Sequence, residues 1–336
     1  MVKILIIGEA HNSVLAPKMA LKSLEILRQN HVRVIAASED EAGLQAPIDL
    51  FEYVKTMNLL KGELEKANPA LATKLFTGEE FSLTVRENNA LRDFFKKGEI
   101  IEILDKFEKE VADNIKSPGG CGFFIDAICG LEPLIASFGG IERMESYAAL
   151  CKGFLEQGIK PIALEDKSKT MPRYLELKNK VSEGEIAEEE ALEMEAILKD
   201  PAIDQARVNM MSDSVMMQVS NLKEDRNAII LIYPFGMFHA NALSEVLRVR
   251  SAEMGVEIYS HNFLDSREQL GEVLRSDPAQ EEVIKSLPNL YFLSAQEDKA
   301  KYFAELEKFI GTKSPDSVPK PAAAAALVAH DKVATL

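Results

Sequence analysis

Residues 2–13 read VKILIIGEAHNS. Four consecutive aliphatic residues, Ile4, Leu5, Ile6 and Ile7, stop at Gly8, and Glu9 and His11 follow at once. An unbroken apolar run bounded by glycine is the pattern of a strand buried on both faces, as in a parallel sheet. The same arrangement returns far downstream. Residues 228–233 (AIILIY) lead into Pro234, Phe235, Gly236, Met237, Phe238 and His239, and then into a helical pattern. Each copy is a strand, Gly-x-x-His and a helix. Ligands of open α/β sheets bind beyond the carboxyl ends of the strands, so His11 and His239 are expected to face one pocket. Glycine at such a place permits positive φ and lets the backbone approach a ligand closely.

Working outward, Asn12 or Ser13 is placed to cap a helix running to about Gln29, with Pro17 near its first turn. Residues 32–37 (VRVIAA) form a second strand that ends at Ser38, Glu39, Asp40 and Glu41, which completes a βαβ unit with a right-handed crossover. A third strand at 159–164 carries Pro161, the mark of an edge or a bulge, and ends in Glu165 and Asp166. A fifth strand at 256–260 sets His261 just past its end, and a sixth covers 290–293. Helices are expected at 142–157, 183–199, 204–222 and 298–310. Between 44 and 138 helical signals dominate, at 48–65, 99–116 and near 123–131, with Pro118, Gly119 and Gly120 as punctuation. The fold class is therefore α/β: a mostly parallel sheet flanked by helices, with a helical insertion at about 44–138 over the carboxyl edge of the strands. That insertion either covers a substrate or simply packs on the sheet. Residues 1–310 read as a single domain. Residues 311–336, with Pro, Ser and an Ala run, read as a disordered tail in which His330 needs no role.

Composition narrows the function classes. With 46% hydrophobic and 28% charged residues the chain is ordinary for a soluble globular protein. Its formal charge of −15 would repel phosphate backbones, and no basic patch interrupts it, so nucleic acid is excluded as a partner. No apolar run reaches the ~18 residues of a membrane-spanning helix, and the N-terminal one is too short for a signal peptide. Three cysteines (Cys121, Cys129, Cys151) without a secretory signal indicate reduced thiols and a cytoplasmic protein, with non-classical export left open. The four methionines at 210, 211, 216 and 217 read as adaptable core filler. The first turn is Gly8-Glu9-Ala10-His11, not Gly-x-Gly-x-x-Gly, and neither a phosphate loop nor a Gly-x-Ser-x-Gly elbow occurs.

What lies past the strand ends is chemistry of one kind: Glu9 and His11, Glu39 and Asp40, Glu165 and Asp166, His239, and His261. Neutral imidazoles beside carboxylates make a mixed N/O site for a divalent ion such as Zn, Mn, Co or Fe. Such an ion turns a bound water into a nucleophile, and a spare carboxylate such as Glu9 serves as base or orients a histidine. The plainer reading is that a histidine after a strand is a polar turn residue, and that Glu39 and Glu165 are capping or loop carboxylates.

Together these residues carry a resemblance. Strand-Gly8-Glu9-Ala10-His11, an acid after the second strand, a strand ending in Glu165-Asp166, an Arg-led helix containing Met, and strand-Gly236-Met237-Phe238-His239 resemble the TraB/Tiki, ChaN and erythromycin-esterase superfamily over about residues 2–300. The Gly-Glu-x-His form is closest to its ChaN-like branch. The resemblance implies an α/β sheet with inserted helices. It also implies a spread of activities: Tiki members are metal-dependent proteases, erythromycin esterases hydrolyse a lactone, and ChaN binds haem. Carried onto this chain, it points to Glu9, His11 and His239, to Glu39 (or Asp40) as the acid after the second strand, and to Arg207 as the helix arginine. The resulting expectation is a metal-dependent hydrolase of ester, lactone or peptide bonds, acting on a small-molecule or peptide substrate. Glu9, His11, Glu39 and His239 are its catalytic residues, His11, His239 and Glu39 its metal ligands, and Glu165, Asp166, Arg207 and His261 secondary candidates. The alternatives are a ChaN-like haem or small-ligand binder, and a catalytically silent scaffold or effector.

Overall fold

The computed structural model describes residues 2–10, 12–39, 44–76, 83–117, 120–183, 186–222, 227–252, 254–276, 282, 284, 287 and 289–311. In chain order its strands are β1 (Lys3–Glu9), β2 (Arg33–Ser38), β3 (Ile162–Ala163), β4 (Ala228–Ile232), β5 (Glu257–Leu264) and β6 (Leu290–Phe292). They form one sheet in the order β3-β2-β4-β1-β5-β6, and all these pairings are parallel. The α/β expectation is met. The two strands that carry Gly-x-x-His, β1 and β4, are neighbours at its centre, with Ile4 opposite Ile230. This is why both read as unbroken apolar runs: Leu5 and Ile7 enter one core with Leu24 and Leu231, while Ile4 and Ile6 enter another with Val208 and Leu243.

Helices cover both faces. On one lie α1 (Leu15–Gln29) and, from the far end of the chain, a helix at Gln296–Ile310, whose Tyr302 and Leu306 join the core with Leu24. On the other lie Pro201–Asn221 and Met237–Ser251, here helices P and M, through Val208, Met211, Leu243 and Leu247. The N-terminus of α1 is held by Ser13, whose hydroxyl accepts from the Ala16 amide at 3.0 Å, and by Asp265 beyond β5. The Asp265 carboxylate accepts from the Val14 and Leu15 amides at 2.7 and 3.1 Å.

The insertion contributes α2 (Gln45–Ala67), α3 (Pro69–Phe76), α4 (Val85–Phe95), α5 (Gly98–Asp105), α6 (Lys109–Lys116), α7 (Gly120–Cys129) and α8 (Leu131–Ser137). They pack around a core of their own, with Phe51, Met57, Leu91, Phe95, Leu104 and Phe124. That core is seated on α9 (Ile141–Glu156) through Met144, Ala148 and Cys151. The end of α8 and the turn after it reach the carboxyl edge of the sheet. Gly120–Ser137, with mean hydropathy 1.4, is the one stretch among the described residues long and apolar enough to cross a membrane. It runs over two helices broken at Gly130, and Phe124, Ile128 and Leu131 within it are buried in the insertion core.

Four local expectations need correction. The strand with Pro161 is only two residues long, at the sheet edge, because proline offers no ladder donor there. The helix expected over 99–116 is two, α5 and α6, separated where Phe107 turns in against the Tyr53 ring. β5 does not stop before His261: it continues to Leu264, since its second half pairs with β1 on one side and β6 on the other. Gly8 does not need positive φ. A Cβ there would lie 2.5 Å from Asn262 Oδ1 and 2.9 Å from Met237 Cα, so glycine lets helix M close onto β1. The tail at 312–336 lies outside the described residues.

Candidate functional site

Three neighbouring strands, β3, β2 and β4, deliver their exits to one rim. Glu165 follows β3, Glu39 follows β2, and the turn after β4 leads through Gly236 to His239 in the first turn of helix M. Helix P crosses this rim and brings Asp204 and Arg207, three residues apart and so on one face.

Arg207 is the hub. Its Nε and Nη2 donate to the two oxygens of Glu165 at 2.9 and 3.1 Å, and Nη2 also donates to Glu39 Oε1 at 2.7 Å. Glu165 is fully buried at its side chain and takes a further bond from the Thr170 hydroxyl at 2.6 Å. Such paired donation fixes the guanidinium plane.

His239 lies between two carboxylates. Its Nδ1 is 3.0 Å from Glu39 Oε1 and its Nε2 is 2.8 Å from Asp204 Oδ1. Two acceptors on two ring nitrogens are satisfied together only by the imidazolium, in which both nitrogens donate. Arg207 Nη1, 3.3 Å from Nε2, is then a close cation rather than a donor to it. Burial disfavours the charged ring, but the bonds to Glu39 and Asp204 outweigh it and raise the His239 pKa. For Glu39 burial pushes the pKa upward instead, yet the hydrogen bond and charge of His239, with Arg207 and the Gly236 amide, hold it at about 2.

Next to this cluster lies a cleft of about 570 Å³. Ala10, Met237, Phe238 and His239 form one wall, and Ala136 and Ser137 at the end of the insertion form another. His239 is one-fifth exposed and Asp204 half-exposed, so both open toward solvent. Glu9 behaves differently. Its side chain is fully buried beneath the cleft, where Arg143 donates to one oxygen at 2.8 Å and the Tyr233 hydroxyl to the other at 2.6 Å. Burial raises its pKa to about 6 against the charge of Arg143. Arg143 also donates to the Phe138 carbonyl at 3.2 Å, which ties the insertion to the end of β1.

The remaining expected residues fall elsewhere. Asp166 is exposed, caps the short turn after β3 through the Ser168 amide at 3.1 Å, and pairs with Lys169. His261 is sealed in the core among the rings of Tyr259, Tyr291 and Tyr302, and burial pushes its pKa down to about 3. It takes no part in the rim. His11 and Asp40 lie outside the described residues. The sequence reading missed Asp204, Arg143 and Tyr233. Asp204 sits one turn before Arg207 on a helix already singled out, and Tyr233 is the last residue of the β4 run.

Among the described residues no three His, Cys, Asp or Glu side chains converge as ligands. Glu39 and Asp204 approach opposite nitrogens of one imidazole, so a single ion could touch only one side of the ring, and Arg207 already supplies positive charge between Glu39 and Glu165. The described residues therefore do not fit a one-ion centre. Compared with known proteins, the chain matches no family model, no curated protein and no solved structure.

Proposed function

We propose that the chain is a hydrolase of ester, lactone or peptide bonds, with His239 as the group that moves protons at the rim cleft. The observation that carries this reading is an imidazole opening into a cleft while a largely covered carboxylate, Glu39, holds its inner nitrogen. A substrate entering the cleft displaces the half-exposed Asp204 from Nε2, and the Nε2 proton leaves with it to solvent, so that the ring facing the substrate is the neutral imidazole. The imidazole, its Nδ1 proton held by Glu39, then takes a proton through Nε2 from a water that attacks the carbonyl carbon. The C–O or C–N bond breaks, and the imidazolium returns that proton to the leaving group. Arg207 Nη1 stands 3.3 Å from Nε2, beside the place where negative charge grows on the carbonyl oxygen. Glu165 and Glu39 keep the guanidinium from turning, and Glu9 acts at a distance by anchoring Arg143.

The test is turnover of a panel of chromogenic esters, lactones and peptides by the full chain. His239→Gln and Glu39→Gln should each lower the rate by roughly 10²–10⁴-fold with the fold intact, the usual worth of general acid–base catalysis. No turnover by the parent chain, or turnover by both variants at the parent's rate, overturns the proposal. The described residues do not favour a metal-dependent form, and stoichiometric Zn, Mn, Co or Fe in the purified chain, lost on His239→Gln, would speak for one. The cleft's volume also suits a ligand held without turnover, and a Soret band after haem addition would favour that second reading.

A further inference from the structure

The insertion carries a second, half-open pocket of about 610 Å³ that shares no lining residue with the rim cleft. Three cations, Arg92, Lys96 and Lys116, line it with no carboxylate among the described lining residues, in a chain of formal charge −15. Phe95, Ile115 and Cys121 supply a buried floor, and Ile101 an apolar side. Lys116 and Lys96 pair with Asp105 and Asp93 at 2.7 and 3.4 Å, outside the lining. Both pairs are solvent-exposed, and such pairs are worth only about 0–1 kcal/mol, so an arriving anion displaces them cheaply. Arg92 is hydrogen-bonded to the Cys121 thiol, which lies in the first turn of α7, where the helix dipole adds positive potential.

We propose that this pocket binds an organic anion with an apolar tail, its head held by Arg92 and Lys116 and its tail laid on Phe95, Ile101 and Ile115. The volume supports a tail, because it lies in the ~300–1,000 Å³ range of small-molecule sites and a bare inorganic anion would leave most of it unfilled. The arrangement stands independently of the hydrolase reading.

The test uses the full chain with three probes: decanoate, inorganic phosphate and decanol. Binding is followed by calorimetry and located by the rate at which iodoacetamide alkylates Cys121, with the exposed Cys129 as internal reference. At ten times its Kd, decanoate should slow Cys121 relative to Cys129 by about tenfold, since only the unliganded fraction reacts. Phosphate and decanol should leave the ratio unchanged. Arg92→Gln and Lys116→Gln, both at exposed positions, should each weaken decanoate by roughly tenfold, each protection ratio being taken within its own variant. Decanoate that fails to bind, or binds without protecting Cys121, overturns the proposal. So does equal protection by decanol, which marks a purely apolar hole, or by phosphate, which marks a site for the head alone.

Discussion

Replacing Arg207 by leucine removes the guanidinium that Glu165 and Glu39 share. Glu39 keeps His239 at 3.0 Å and the Gly236 amide at 3.4 Å, so most of the damage falls on Glu165. That carboxylate has a fully buried side chain, loses two bonds of 2.9 and 3.1 Å, and retains the Thr170 hydroxyl. Breaking a buried ion pair by removing one partner costs about 3–5 kcal/mol, because the other charge is left desolvated. We expect a loss of that size in the free energy of unfolding at pH 7, read from urea titrations followed by circular dichroism. The double variant Arg207→Leu with Glu165→Leu should recover at least about 2 kcal/mol, since an apolar pair in place of a buried ion pair is often neutral or better. A single-variant loss under about 1 kcal/mol, or no recovery in the double variant, would refute the idea that Arg207 compensates a buried charge.

Three further outcomes follow from the same geometry. Glu39 held at about 2, against its ordinary 4.5, stabilises the fold by about 3 kcal/mol above pH 4.5, and this is lost as pH falls toward 2. Glu39→Gln should flatten that limb in urea midpoints taken across the range. Glu9 has the opposite sign: raised to about 6 by burial, it favours the folded state most below pH 4.5 and costs about 2 kcal/mol as pH rises through 6. Glu9→Gln should remove this slope, and a slope that survives the substitution contradicts the assignment. Gly8→Ala should lower stability by about 1–3 kcal/mol in the same assay, because its methyl meets Ala240 and the Met237 backbone at 2.8 and 2.9 Å. An unchanged midpoint would mean that helix M is free to back away.

The central strands were readable because burial on both faces leaves a mark in one dimension. Ile4 to Ile7 and residues 228–232 are apolar throughout, and this is what sets β1 and β4 side by side. β5 was legible only in its first half. Ser260, His261 and Asn262 are polar, yet the sheet buries them fully, and no periodicity announces a polar residue sealed by neighbours distant in sequence. The rim shows the same division. Glu39, Glu165, Arg207 and His239 could be picked out by their positions just past strands or on a distinctive helix, and they converge. Glu9 was picked out by the same rule but points beneath the cleft, because Arg143 and Tyr233 draw it inward from elements that the motif does not contain. Asp204 escaped notice for a related reason: an acid on a solvated helix becomes informative only once His239 is known to lie 2.8 Å away.

Whether His239 is a proton-transfer group held by two carboxylates is tested most directly by NMR titration of its imidazole, assigned by its loss in His239→Gln. The signal should titrate above the 6.5 of an unperturbed histidine and move downward in Glu39→Gln, in line with the bonds that raise it. A midpoint at or below 6.5 that ignores the Glu39 substitution would contradict the clamp, and with it the chemistry assigned to this rim.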